Sequence, residues 1–570
     1  MFSFLSKHYI ASSLIFLFLC LTLFFGSVPS MNNDDFQIAF CINGGGETAG
    51  SFGVYVHTLI GSLCSLLLNF STSVCWYLVV LTTVNIAAFF SVLLYTMREI
   101  RSDHSPKAYR GILYSFLAVT LLYGCLDSLA TNQYTHIAIL TGGSGILWFS
   151  CSLRTPRFSI FIIPAILLVA LGCMMRADSV FSVLFLYIAV CLTFLIRDRF
   201  RLLKNLNFII GSIGMLAAII TLNTIDRFTI EGSPEWEQAY ADRKTMVEIV
   251  DYPDNSGLNK DEICKENGIS PLEFKLLKSF FYVPRFQDSR ETRIAERIHK
   301  RDRRGLFGLE TTSEIGLLTP SIKKLFEPFS SLMMLTKWCI FGMTCFLFVI
   351  TFCKKSAKNC LPMIIVVIGY IVTLIMVGRC TGRVTNPVLF IASVWVLTHL
   401  PRHAPFLQKK WAVATVSIIL LCGCAFTFRH TLGHRFWNAR AEAHEYCAAR
   451  PENLYITTNQ QGCGLFPVGF TGYSMDYLHK TNVLPVGDGW MFYTPAYRAA
   501  LAARKIENPY RELLKDNVYV ITFRQEDKWV LKQLSALHEL YTGQGVEFSK
   551  VHAIGEHSFW KAHQLPNAAK

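Results

Sequence analysis

The sequence predicts a polytopic α-helical membrane protein of about 11 spans, with an outer loop domain and a small C-terminal α/β domain outside the cytoplasm. Three observations predict it. Of 570 residues, 52% are hydrophobic and only 16% charged, and mean hydropathy is positive, a balance outside the range of soluble globular chains. The apolar residues collect into runs close to the roughly 20 residues that cross a bilayer. Lys and Arg then concentrate in alternate short connections, the pattern that fixes orientation in a membrane.

In order, the predicted spans are Ile10–Val28, Cys75–Met97, Gly111–Ala130, Ile137–Leu153, Phe158–Met175, Ser179–Ile196, Leu206–Thr224, Ser331–Phe352, Cys360–Val377, Pro387–Leu400 and Trp411–Phe428. The first reads as a retained anchor rather than a cleaved signal peptide. Five short connections hold Arg98, Arg101, Lys107 and Arg110; Arg154 and Arg157; Arg197, Arg199, Arg201 and Lys204; Lys354, Lys355 and Lys358; and Arg402, Lys409 and Lys410. These are the cytoplasmic loops by the positive-inside rule, with the N-terminus and Lys7 also inside. The formal charge of +14 is therefore mostly a topology signal, and nucleic acid is not an expected partner.

One segment tests the scheme. Val54 to Phe70 is apolar enough to span, but counting it would put every basic loop outside. It is expected instead as a re-entrant or interface-lying helix in the first outer loop. The organisation that follows is an N-terminal bundle over residues 1–224 with a first outer loop at 29–74, a large extracytoplasmic loop at 225–329, four further spans over 330–428, and an extracytoplasmic tail at 429–570. In the tail, the runs Leu454–Thr458, Asn517–Thr522 and Glu547–Ile554 alternate like strands and Glu526–Leu540 follows a helical period. Most of the 18 cysteines lie in spans, where Cys acts as a small apolar residue, and no CxxC or metal spacing occurs. Cys447 and Cys463 both lie in the outer tail and can pair there.

Met31-Asn-Asn-Asp-Asp-Phe36 follows the first span directly. Ionisable groups near hydrocarbon are costly and usually functional, so the adjacent carboxylates Asp34 and Asp35 are the first candidates for chemistry. On this topology Glu47 and His57 share the first outer loop with them, and Arg176, Asp178, Arg379 and Arg383 fall at outer span ends. Sugar transfer from a lipid-phosphate donor needs a carboxylate to deprotonate an acceptor hydroxyl or to hold a divalent cation, and cations to stabilise the departing phosphate. Asp34 or Asp35 suits the first role and Arg176, Arg379 and Arg383 the second, since a guanidinium fork matches phosphate oxygens. Glu47, His57 and Asp178 are expected to support them.

A first span, then an acidic motif opening a long outer loop with a juxtamembrane helix, then a multi-span bundle with further outer loops, resembles the GT-C superfamily of polyprenyl-phosphate-sugar-dependent glycosyltransferases. The order Asn33-Asp34-Asp35-Phe36, Gly44-Gly45-Gly46, His57, Trp76-Tyr77, Tyr134-Thr135, Arg176-Ala177-Asp178 and Gly378-Arg379 with Arg383-Val384 is similar to bacterial multi-pass proteins of unassigned activity. The resemblance implies a lipid-linked sugar donor, a glycan, lipid or protein acceptor, a plasma-membrane location, and a catalytic or metal-binding role for Asp34 or Asp35. It covers the bundle and its loops and says little about the tail. No WWDYG-type signature of oligosaccharyltransferases is present.

Structural readings stand beside these. Asp34 and Asp35 can cap or solvate a helix, Arg176 and Asp178 can simply pair with each other, and Arg379 and Arg383 can reach lipid headgroups. Gly44 to Gly46 suits a turn, with no strand before it to make a phosphate loop. His57 suits a membrane interface. Two other function classes remain, a surface-polysaccharide polymerase or ligase and a lipid-linked glycan flippase or transporter; the scarcity of midspan charge counts against the last.

Overall fold

The computed structural model describes residues 33–44, 50–101, 120–121, 124, 128, 132–198, 201–251, 260–279, 281–287, 291–295, 342, 344–345, 354–376, 381–399, 436–457, 474–487, 490–523, 527–555 and 557–565. Its helices are α1 (Asn33–Ile42), α2 (Thr58–Leu68), α3 (Trp76–Arg101), α4 (Tyr134–Ser152), α5 (Ile162–Met175), α6 (Val180–Arg197), α7 (Leu206–Glu231), α8 (Pro234–Asp251), α9 (Lys260–Glu266), α10 (Pro271–Lys278), α11 (Lys354–Met376), α12 (Gly382–His399), α13 (Phe436–Ala448), α14 (Met475–Lys480), α15 (Pro495–Ala503) and α16 (Asp527–Thr542). Its strands are β1 (Leu454–Thr457), β2 (Val483–Pro485), β3 (Val518–Phe523), β4 (Val546–Ile554) and β5 (His557–Gln564).

The chain is a helical membrane protein. Among the described residues, three helices are long and apolar enough to cross a bilayer, over Trp76–Glu99, Ala177–Arg197 and Leu206–Glu231. Helices α3 to α7, α11 and α12 occupy seven of the predicted spans. The predicted spans Ile10–Val28 and Trp411–Phe428, and most of Gly111–Ala130 and Ser331–Phe352, lie outside the described residues.

Two compact units divide the chain: Met1–Ser30, Val80–Asp226 and Ser313–His434 form the first, and Met31–Val79, Arg227–Thr312 and Arg435–Lys570 the second. In the first, α4 is buried along its whole length. Small residues allow this. A Cβ on Gly145 would lie 2.8 Å from the Ala165 carbonyl oxygen, and one on Gly172 would lie 2.6 Å from that of Ala138, so α4 and α5 meet backbone to backbone. Phe149, Leu186, Phe194 and Trp395 complete the surrounding core.

Helix directions follow from contacts along α4. Arg154, just past its end, lies 3.0 Å from His399 at the end of α12, and Gly143, midway, faces Ile391. Helices α4 and α12 therefore run parallel and begin at one end of the unit. Helix α5 returns to that end, with Gly172 against Ala138, and a 3₁₀ turn over Ala177–Ser179 starts α6 there.

The second unit is built on a five-stranded sheet of order β2-β1-β3-β5-β4. Strand β1 pairs in parallel with β2 and β3, while β5 runs antiparallel to β3 and β4. Strands β1, β3 and β4 and helix α16 lie where alternation and helical period place them; β2, three residues long, and β5, interrupted by polar residues, carry too little pattern to be seen. Part of the long loop joins this fold. Tyr282 donates its backbone N–H to Val486 O at 2.9 Å and accepts from Tyr510 Oη at 2.5 Å. Glu273 accepts from Tyr541 Oη at 3.0 Å and lies 3.6 Å from Arg285. Cys447 is a buried free thiol whose pKa burial pushes up to about 12; the partner expected for it, Cys463, lies outside the described residues.

Helix α2 lies in the Val54–Phe70 segment, expected to be re-entrant or to lie at an interface. It buries Ile60, Gly61, Cys64 and Leu68 and exposes Leu59, Leu63, Leu66 and, just beyond it, Phe70. Those exposed positions follow helical spacing, an apolar stripe of the kind that rests in a bilayer surface.

Candidate functional site

The acidic pair opens α1, whose following residues Phe36, Ile38, Ala39, Phe40, Cys41 and Ile42 are all buried. A helix this apolar on every face belongs inside a fold. Carboxylates in its first turn face the positive end of the helix dipole. The helix ends at Asn43 and at Gly44, whose φ of 81° supplies the left-handed residue that closes many helices.

Neighbours in the second unit fix α1 along its length. Gln37 Oε1 accepts from Met491 N at 3.0 Å, and Cys41 Sγ lies 3.8 Å from Thr494 Oγ1. Asn43 Nδ2 donates to Cys75 Sγ at 3.3 Å, and His479 Nε2 lies 2.8 Å from the Gly44 carbonyl oxygen. Burial pushes the Cys41 pKa up to about 12, which keeps it a neutral thiol packed in the core.

The two carboxylates have different surroundings. Asp35 is 0% exposed, and its Oδ1 accepts from Tyr77 Oη at 2.9 Å. Asp34 is only half-buried. A helix turns about 100° per residue, so adjacent side chains point to different surroundings. Only the half-buried carboxylate keeps surface that a substrate can touch.

His57 is 5% exposed and caps α2, its Nδ1 accepting from Leu59 N at 3.0 Å. Glu47 and Arg379 lie outside the described residues. Among the described residues, no three His, Cys, Asp or Glu side chains come together as a metal-ligand set.

Arg176, Asp178 and Arg383 belong to the first unit. Arg176 follows α5 with extended backbone, and its Nη1 donates to Tyr134 Oη at 2.9 Å and Thr135 Oγ1 at 2.6 Å. Its Nη2 lies 3.7 Å from Asp178 Oδ2, with side-chain exposures of 17% and 77%. Gln133 caps α4 beneath this corner, its Oε1 accepting from Thr135 N and His136 N at 3.0 and 3.1 Å. Arg383 lies exposed in the first turn of α12, at the end of the unit where α4 also begins. The structure thus joins Tyr134-Thr135 to Arg176-Ala177-Asp178, with Arg176 bonded to residues 42 and 41 positions earlier in the chain.

Sequence reasoning did not single out Tyr77 for a role at the acidic pair. A tyrosine opening an apolar helix has an ordinary packing explanation, and only the fold shows which acid it meets.

No protein-family model matches the chain, and no curated protein matches it. Among solved structures, it is similar to the crystal structure of ArnT from Cupriavidus metallidurans bound to undecaprenyl phosphate, with 10% identity, a TM-score of 0.36 and 97% of each chain covered. A likeness of that degree carries no argument about activity.

Proposed function

We propose that this protein is a membrane glycosyltransferase that moves a sugar from a polyprenyl-phosphate donor to a glycan, lipid or protein acceptor of the cell envelope. On this reading the chain has about eleven spans, a cytoplasmic N-terminus, and its long loop and α/β tail outside the cytoplasm. One observation carries the proposal: adjacent carboxylates open a buried helix, one sealed from water against Tyr77 and the other half-buried.

Asp34 acts as the base. It takes the proton of the acceptor hydroxyl as that oxygen bonds to the anomeric carbon of the donor sugar, and the bond from that carbon to the phosphate oxygen breaks with its electron pair leaving on polyprenyl phosphate. Asp35 positions the start of α1. Arg176, Arg379 and Arg383 serve the departing phosphate, each to be tested on its own.

The test is release of polyprenyl phosphate from a panel of polyprenyl-phosphate sugars by purified protein in nanodiscs, with and without a divalent cation. Asp34→Asn is expected to lower release about 10²–10⁴-fold, the usual worth of a positioned base, with the melting midpoint unchanged. Full release by Asp34→Asn overturns this assignment.

A further inference from the structure

Helix α8 sets Trp236, Tyr240 and Arg243 at i, i+4 and i+7, one face of the helix. That face meets the segment before α2 within the second unit. Trp236 stacks on Phe52 with ring centroids 5.0 Å apart and planes at 19°. Tyr240 Oη donates to the Gly53 carbonyl, which fixes its ring. The Arg243 guanidinium lies 4.8 Å from the Tyr55 ring centroid and 5.2 Å from that of Tyr240.

Arg243 Nε and Nη1 are shielded from water and have no hydrogen-bond partner among the described residues. Leaving a buried donor unsatisfied costs about 1–3 kcal/mol, more when it is charged. A cation–π contact returns about 0.5–2 kcal/mol, without supplying the in-plane acceptors that a guanidinium prefers. The neighbouring carboxylate of Asp242 accepts from Gln238 Nε2 at 2.9 Å. Two half-buried tyrosines thus flank a cation with donors to spare, and the half-buried Trp236 ring lies 6.3 Å from that of Tyr240.

We propose that Arg243, with Tyr55, Tyr240 and Trp236, forms a subsite for a sugar that carries an oxyanion, either a carboxylate or a phosphate. The aromatic rings face the sugar's C–H surface and the guanidinium takes the anion as a charge-assisted acceptor. Assigning this sugar to donor or acceptor rests on the glycosyltransferase reading; the binding itself does not.

The full chain in nanodiscs is titrated calorimetrically with a hexose 1-phosphate, a hexuronate and the neutral hexose. Both anionic sugars, or one of them, are expected to bind about 10-fold tighter than the neutral sugar, with Arg243→Gln abolishing the difference. Arg243→Lys keeps the charge without the planar fork and is expected to lose part of it; this variant decides the matter if Arg243→Gln does not fold. Tighter phosphate binding assigns the donor sugar, and tighter uronate binding assigns an acidic acceptor. Equal binding of charged and neutral sugars, no binding of any, or wild-type affinity in Arg243→Lys overturns the subsite. Arg243-dependent sugar binding by a wild-type protein that cleaves no donor of the panel leaves the subsite standing and removes the glycosyltransferase reading.

Discussion

The start of α1 and the corner between α5 and α6 both carry charge at a helix end, and they treat it in opposite ways. At α1 two carboxylates adjacent in the chain are separated by environment: Asp35 is wholly out of water against Tyr77, and Asp34 is half-buried. At the corner, opposite charges two residues apart remain neighbours, but Asp178 is 77% exposed and Arg176 is tied mainly to Tyr134 and Thr135. The difference teaches that chain adjacency does not set the energetic weight of a charge. Burial and fixed partners do, because water screens the exposed member of a pair and leaves the buried one dependent on the protein.

This contrast can be tested by removing one partner at a time. The largest effect is the loss of transfer in Asp34→Asn described above, which leaves the fold intact. Tyr77→Phe comes next. It takes a donor from a buried carboxylate, and a hydrogen bond to a charged group contributes about 1.5–3 kcal/mol, so the second unit is expected to unfold at clearly lower denaturant. An unchanged unfolding midpoint would show that Asp35 does not depend on the phenol. Thr135→Val removes one acceptor from Arg176 while keeping shape, and is expected to cost roughly 1 kcal/mol because the Tyr134 bond remains. Asp178→Asn is expected to cost under about 1 kcal/mol at low salt and nothing measurable near 1 M salt. A larger or salt-independent loss, read from thermal melts across ionic strengths, would make this ion pair structural.

Spans were legible because a bilayer imposes one strong rule, about 20 apolar residues in a row, and α3, α6 and α7 follow it openly. Which spans are buried was less legible. Helices α4 and α7 are both apolar, yet α4 is buried throughout while only 11% of the apolar stretch of α7 is. Close packing through Gly145 and Gly172 separates them, and hydropathy does not record it. In the tail, β1, β3, β4 and α16 showed their period, whereas β2 and β5 are set by pairing with neighbours more than by their own residues.

The candidate site was legible as residue types and not as roles. Asp34 and Asp35 stand out by their chemistry next to an apolar run, and Arg176 by its rarity on the side where basic residues are few. Trp236, Tyr240 and Arg243 are legible only as a stretch that could include sugar-stacking aromatics, since a surface helix rich in charge is ordinary. Only the fold shows that Trp236 stacks on Phe52 while Arg243 lies over Tyr55.

By itself, then, the sequence determined that this chain carries stretches apolar enough to cross a membrane, three of them among the described helices, and which acidic and basic residues are costly enough to need a reason. Those are one-dimensional properties, fixed by transfer free energies and loop charge. The tertiary structure decided that Asp35 is sealed while Asp34 is half-buried, that Arg176 is held by Tyr134 and Thr135, and that Arg243 sits between two tyrosines with unsatisfied nitrogens. Each of these depends on partners brought from far along the chain, and a hydrogen bond or a buried charge has no defined energy until that partner is in place.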